Sequence, residues 1–260
     1  MHTKETLIAD LQKSGINPTG TLHVHSSMKS IGECENRADT VLDAFIEFMR
    51  DGLLIFPTHT WRNVGENNNT YDPMTTPSCV GILTNIFMKR DNVIRSLHPT
   101  HSVAAIGKDA RDYTSGEEQS RSPCSRNGCY GKLYDRNAQI LFLGCELIRN
   151  TFIHGVEEWN KIPNRLGTEP QELFIKTEQG LLPCPQHRHY FADGDISQNY
   201  GKMEVAFIEK GAAKYVKIGN AHSILADAVK MADLVTHCLK KNPNIFADDT
   251  ELPDDLWCDF

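Results

Sequence analysis

The chain has 260 residues, enough to bury a large core as one α/β domain or a domain with a subdomain. Its 27 basic and 34 acidic residues leave a formal charge of −7 with no basic stripe, which excludes nucleic acid as an expected partner and suits a cationic small molecule better. The amino-terminal stretch has no leader pattern and no apolar run reaches bilayer-spanning length, so a cytoplasmic protein with no membrane partner is expected.

Leu7, Ile8 and Leu11 recur at helical spacing ahead of Gly15 and Pro18, and Thr21-Leu22-His23-Val24-His25 alternates as a strand. Residues 38–50 carry apolar side chains at 41, 42, 45, 46 and 49, an amphipathic helix with Asp39 or Thr40 near its start. Residues 52–57 read as a second buried strand, so 21–57 form a βαβ unit. The stretch 59–77, rich in Asn, Asp, Pro and Thr, has the length of a functional or mobile loop. A helix over 80–89 and a strand over 103–107 follow, and the polar residues 111–129 read as loop. Residues 139–144 are a buried strand ending at a glycine, and Asn150 or Thr151 caps the next helix. Beyond Pro163, residues 173–176 and 180–183 read as a hairpin, a late β-rich insertion. A helix at 202–210, a strand at 214–218 and a helix over 223–240 close one domain at residue 247, and 248–260 read as a loose acidic tail. The eight cysteines lack paired spacing and are expected as free thiols; Cys124-x4-Cys129 has no second pair to complete a zinc site.

His154 and Glu157 lie three apart on one helical face, an arrangement that can hold an imidazole in one tautomer as a general base. By spacing alone, a surface His–Glu pair looks the same. His23 and His25 share a strand face and suit a metal ion if His59, His98 or His101 joins them, although no Asp or Glu follows the later strands at a matching place. Ser26, Ser27, Met28, Lys29, Ser30, Ile31 and Gly32 offer hydroxyls and backbone N–H groups to a phosphate or pantetheine chain, without a Gly-x-Gly-x-x-Gly or Gly-Lys-Ser/Thr signature; an ordinary βα turn reads identically. Pro99 keeps His98 out of helical backbone and puts its ring at a strand edge. Trp61, Tyr71 and Asp72 suit a lid or pocket wall. Gly-x-Ser-x-Gly is absent, so a serine-hydrolase elbow is not expected.

In combination, the segments at 24–32, 38–41, 56–58, 71–77, 95–102 and 150–157 resemble the antibiotic N-acetyltransferase family, which includes the aminoglycoside 3-N-acetyltransferases, and more closely its bacillus-type branch. The resemblance runs from about residue 5 to 245 and implies an α/β/α sandwich around a central mixed sheet, distinct from the GNAT fold. It implies acetyl-CoA as co-substrate, no metal, and direct transfer to an amine of an aminoglycoside or related amino sugar in a ternary complex. It implies His154 as general base, Glu157 as its orienting carboxylate, and His98 and Ser102 near the thioester and the amine. It further implies residues 26–32 under the pantetheine and pyrophosphate, and Tyr71, Asp72 and Glu158 toward the acceptor. A homodimer stays open. Departures from the family pattern are Glu35-Asn36-Arg37 where relatives often have Gly-Gly, Gly155 where resistance enzymes have Leu, and His23 where an apolar residue is common. Two other readings stand beside it: a metal-dependent hydrolase built on His23 and His25, and a non-catalytic acyl-CoA-binding homologue, against which His154 and Glu157 speak.

Overall fold

The computed structural model describes residues 1–190 and 194–260. Helix α1 (Lys4–Ser14) starts at a capping box, Thr3 accepting from the Thr6 backbone, and stops where Gly15 turns left-handed. Strand β1 (Thr21–Ser26) leads through the short helix α2 (Met28–Ile31) and helix α3 (Ala38–Phe48) to β2 (Leu53–Pro57), which pairs parallel to β1 as the βαβ pattern requires. The long loop holds β3 (Thr70–Tyr71) and is followed by α4 (Ile82–Phe87), β4 (Ile94–Arg95) and β5 (Val103–Gly107). Helices α5 (Ala110–Thr114) and α6 (Cys129–Asp135) precede β6 (Gln139–Leu143) and α7 (Thr151–Trp159). Strands β7 (Phe174–Thr177) and β8 (Gly180–Pro183) form the expected hairpin. Helix α8 (Glu204–Glu209), β9 (Ala213–Ile218), β10 (Ala221–Asp227) and α9 (Ala228–Lys241) come last.

The main sheet runs β4-β5-β2-β1-β6-β10-β9, with β2, β1 and β6 parallel at its centre and antiparallel strands outside them. Period-two alternation sends Leu22, Val24, Leu141 and Leu143 to one face with α1 and α3, and His23, His25, Ile140 and Phe142 to the other with α6, α7 and α9. Helices on both faces of a mixed sheet make the α/β/α sandwich. The smaller sheet, β3-β7-β8, ties the late hairpin to the long loop. Among the described residues no helix is long and apolar enough to cross a membrane.

Three elements differ from expectation. The helix read over 223–240 is split: Gly219-Asn220 turns β9 into β10, which pairs antiparallel with β6 and β9, and Asp227 caps α9 by accepting from the Lys230 N–H. Residues 111–129 are not plain loop. Helix α6 begins at Cys129, whose N–H is accepted by the buried Glu117 carboxylate at 2.5 Å, a cap supplied from twelve residues upstream and so invisible in the local sequence. The tail is held rather than loose. Trp257 is buried, Lys210 Nζ donates to the Cys258 carbonyl, and Lys241 Nζ bonds Asp259.

Candidate active site

Strands β1, β2 and β6 run parallel, so their carboxyl ends share one edge of the sheet, the edge where open α/β sheets bind ligands. Here that edge opens into a cavity of about 1080 Å³. Its wall is built from Ser26, Ser27, Met28 and Lys29 after β1, His59 after β2, Gly144 to Glu146 after β6, and His154 on α7. His101, just before antiparallel β5, reaches the same edge, and Arg188 and His189 arrive from beyond the hairpin. Gly144 has φ +61° and a Cβ there would meet Ser30 Cβ at 2.4 Å, so only glycine lets the β6 end pass the α2 turn.

His154 is 12 % exposed at its side chain and Glu157 1 %, yet the two do not bond; Nδ1 and Oε2 are 3.8 Å apart. The phenol of Tyr200, on the 3₁₀ segment Ile196–Met203, fills the gap. Its oxygen lies 2.6 Å from His154 Nδ1 and donates to Glu157 Oε2 at 2.5 Å. Arg165 Nε donates to Glu157 Oε1 at 2.6 Å, which marks Glu157 as a carboxylate. Because Tyr200 gives its proton to Glu157, its oxygen accepts the Nδ1–H of His154, and the basic lone pair belongs to Nε2. Burial, reinforced by His189, His59 and Arg165, holds the His154 pKa well below 6.5, so the ring is neutral. Burial raises Glu157 against the hydrogen bonds from Tyr200 and Arg165, and burial with the Glu157 charge raises Tyr200, keeping the phenol a donor.

A second imidazole lies against the first. The His189 ring stacks on His154 with centroids 4.3 Å apart and planes 26° apart. Its Nε2 is 2.7 Å from Glu158 Oε1, and Glu158 also accepts from the Cys124 N–H and from Ser122 Oγ.

The sequence profile of the aminoglycoside 3-N-acetyltransferase family matches residues 23–240. The chain belongs to this family. It is 30% identical over 246 residues to aminoglycoside N(3)-acetyltransferase IV of a Salmonella species, covering 94% of this chain and 89% of that protein. It is 27% identical over 187 residues to the aminoglycoside N(3')-acetyltransferase-like protein YokD of Bacillus subtilis, covering 63% of this chain and 68% of that protein. The fold matches the crystal structure of a histidine-to-alanine mutant of aminoglycoside acetyltransferase AAC(3)-IVa in complex with gentamicin, with a TM-score of 0.82 at 24% identity, covering 97% of this chain and 92% of that one. It also matches AAC-IIIb in binary complex with CoASH, with a TM-score of 0.82 at 20% identity, covering 97% and 99%. Membership makes this protein an acyltransferase with an α/β/α fold of the aminoglycoside 3-N-acetyltransferase type.

Not every residue expected at the site of this acetyltransferase reaches the cavity. Of the strip after β1, Ser26 to Lys29 do; Ser30 instead donates to the Gly144 carbonyl, Ile31 is buried in the core, and Gly32 turns the chain away. His98 lies behind the wall. Its Nδ1 accepts from the backbone N–H groups of Thr100 and His101, and its Nε2 sits 3.1 Å from the Ser122 carbonyl, so both nitrogens brace backbone. Ser102 is fully buried and donates to the Thr58 carbonyl beside Arg95, which ties the long loop to β2 through the carbonyls of Thr58, Pro73 and Thr76. Tyr71 is buried under Arg95 with its hydroxyl on the Ser96 carbonyl, and Asp72 pairs with Lys176 and caps the turn at Met74. Glu158 supports His189 from beneath. His98, Ser102, Tyr71, Asp72 and Glu158 are thus wall supports.

Sequence reasoning does not find Tyr200, Arg165 or His189: Tyr200 and His189 are far from the His154-x-x-Glu157 pattern, Arg165 lies beyond the end of α7 with no spacing that ties it to Glu157, and only the polar run 186–190 hints at His189. The basic side chains on the wall, Lys29, Arg62, Arg149 and Arg188, and the α2 turn fit the phosphates of a CoA thioester, while Glu146 and Asp195 offer negative charge to a cationic acceptor. His23 and His25 do stack edge to face at 4.8 Å, as their shared strand face requires, but among the described residues no third ligand atom converges on them. Among the described residues only Cys124, Glu158 and His189 bring ligand-type atoms within 4.8 Å of one another, and there Glu158 already accepts three hydrogen bonds.

Proposed function

We propose that this protein moves the acetyl group of acetyl-CoA to an amine of an aminoglycoside or related amino sugar, by direct transfer in a ternary complex with His154 as general base. The observation that carries this is the His154–Tyr200–Glu157 relay at the wall of a cavity that has both basic and acidic groups on its lining. An ammonium cannot attack a thioester. Neutral His154 takes the amine proton at Nε2, the nitrogen lone pair bonds to the carbonyl carbon, and the carbon–sulfur bond breaks. A positioned base of this kind contributes roughly 10²–10⁴-fold, and holding both reactants together supplies much of the rest. The tautomer is fixed from behind, since Glu157 orders Tyr200 and Tyr200 orders Nδ1–H. Relatives solved with CoASH, gentamicin and apramycin support the pairing of donor and acceptor. Acetyl-CoA use and eight unpaired cysteines fit a cytoplasmic setting.

The test is CoA thiol release with acetyl-CoA against a panel of aminoglycosides and simpler amines, wild type beside His154→Ala. Release should require an amine and should fall at least 100-fold in the variant, with its melting transition unchanged. Undiminished release in His154→Ala would refute the base assignment, and no release with any amine would refute the transferase reading for these acceptors.

A further inference from the structure

We propose that His189 is a second catalytic residue of this transfer, the general acid that gives a proton to the departing sulfur while His154 takes one from the amine. The proposal rests on the transferase reading above and adds a role for a residue outside the His154–Glu157 pair.

The incoming nitrogen and the outgoing sulfur are bonded to the same carbonyl carbon in the tetrahedral species, so the groups that serve them must stand side by side. His154 and His189 do, with ring centroids 4.3 Å apart on the cavity wall. Each ring has its own anchor. His154 is held at Nδ1 by Tyr200, with the carboxylate 3.8 Å away and matched by Arg165. His189 is held at Nε2 by Glu158 directly, at 2.7 Å, and the other hydrogen bonds to Glu158 come from neutral donors, Cys124 N–H and Ser122 Oγ. No guanidinium or ammonium pairs with Glu158 among the described ion pairs. Two stacked imidazoles repel one another if both are charged. The arrangement therefore divides them: the ring facing an unmatched carboxylate carries the proton, and the ring facing a matched one stays neutral. Acid and base roles set apart by environment are a general pattern for paired catalytic groups.

The step balances. An ammonium acceptor gives its first proton to solvent before attack. The free amine then forms the carbon–nitrogen bond and passes its surplus proton to His154, the carbon–sulfur pair leaves with sulfur, and His189 protonates that sulfur to give the CoA thiol. His154 then releases its proton to solvent and His189 regains one. The neighbouring imidazoles of His59, His98 and His101 are held neutral by burial, so the charge assigned to His189 meets no second imidazolium among them.

The experiment compares two acetyl donors that differ only at the leaving atom, acetyl-CoA and its selenoester analogue, whose selenol leaves without help because it is far more acidic than a thiol. With His189→Gln, kcat for acetyl-CoA should fall on the order of 100-fold, within the span for one positioned acid, while kcat for the selenoester falls less than about tenfold. His154→Gln should lose the same factor with both donors. Glu158→Gln, which leaves the imidazole in place, should show the His189→Gln pattern more weakly and serves if that variant fails to fold. Equal deficits for the two donors in both variants, or no deficit, would overturn the proposal while leaving the transferase reading intact. Absence of turnover by the wild type with either donor would overturn both.

Discussion

Among the described residues a third side chain links Glu157 to His154: the two stand 3.8 Å apart, and the Tyr200 phenol bonds both, at 2.5 and 2.6 Å. In the proposed mechanism the carboxylate thus acts on His154 by ordering a neutral hydroxyl, which fixes the tautomer without placing a full charge against the ring.

Removing that hydroxyl alone should uncouple the pair. Tyr200→Phe keeps the ring against Phe246 and His154 but leaves Nδ1–H and one Glu157 oxygen without the bridge. We expect kcat to fall roughly 10–100-fold, below the ceiling for loss of the base itself, with the Kd for acetyl-CoA unchanged. The Tyr200→Phe and Glu157→Gln effects should be strongly non-additive, because both act on one relay. Additive losses would mean that Glu157 reaches His154 by another route.

Arg165 secures the far side of Glu157, and both side chains are nearly buried. Arg165→Met should leave an uncompensated buried carboxylate and lower unfolding free energy by about 3–5 kcal/mol. Adding Glu157→Gln to it should restore part of that loss, since a neutral amide needs no cation. A urea titration of the three proteins decides the matter, and a double variant less stable than Arg165→Met would contradict the account.

The histidines beneath the site make stability depend on pH. Burial lowers the pKa of His23, His25, His59, His98, His101 and His154, with His25 brought to about 3. Each is neutral when folded but titrates near its ordinary 6.5 when unfolded, so below that pH the unfolded chain binds more protons. The stabilisation is complete above 6.5 and is lost as pH falls toward the folded values. Each such histidine contributes up to about 1.4 kcal/mol per pH unit in that range. Urea midpoints measured at pH 7.5, 6.0 and 5.0 should drop steadily, and His23→Leu should flatten the slope. A pH-independent midpoint would show that these rings are protonated in the native state.

The fold was legible wherever periodicity and local punctuation agreed. The βαβ unit, the β7–β8 hairpin and α7 follow from their residue patterns alone. Strand β10 was hidden because its apolar residues Ile224, Leu225 and Ala226 run directly into the apolar positions of α9, with Asp227 alone between them. Helix α6 was hidden because its cap comes from Glu117. At the site, the pattern exposed His154 and Glu157 but not what lies between them. Motif membership also did not distinguish groups facing the cavity from groups holding its wall. The segment 95–102 is dense in His, Ser and Thr, yet Arg95, His98 and Ser102 direct their polar atoms at backbone carbonyls and N–H groups, which only tertiary placement reveals.

Gly155, on the turn of α7 just after His154, sets how closely that helix packs. A Cβ there would lie 2.9 Å from Trp159 Cζ2 and 3.3 Å from Cys124 Cβ. The Trp159 indole is itself held by donating Nε1–H to the Cys124 carbonyl at 2.8 Å, so the ring cannot step aside without losing that bond. Gly155→Ala should gain helix propensity of roughly 1 kcal/mol and lose about 1–3 kcal/mol to crowding, for a net destabilisation. Because Cys124 N–H also donates to Glu158, displacement of residue 124 should pass to the His189 side of the site before it reaches Tyr200. The variant should therefore melt earlier and lose kcat, with KM for acetyl-CoA little changed. A Gly155→Ala protein as stable as wild type would show that Trp159 has room to move.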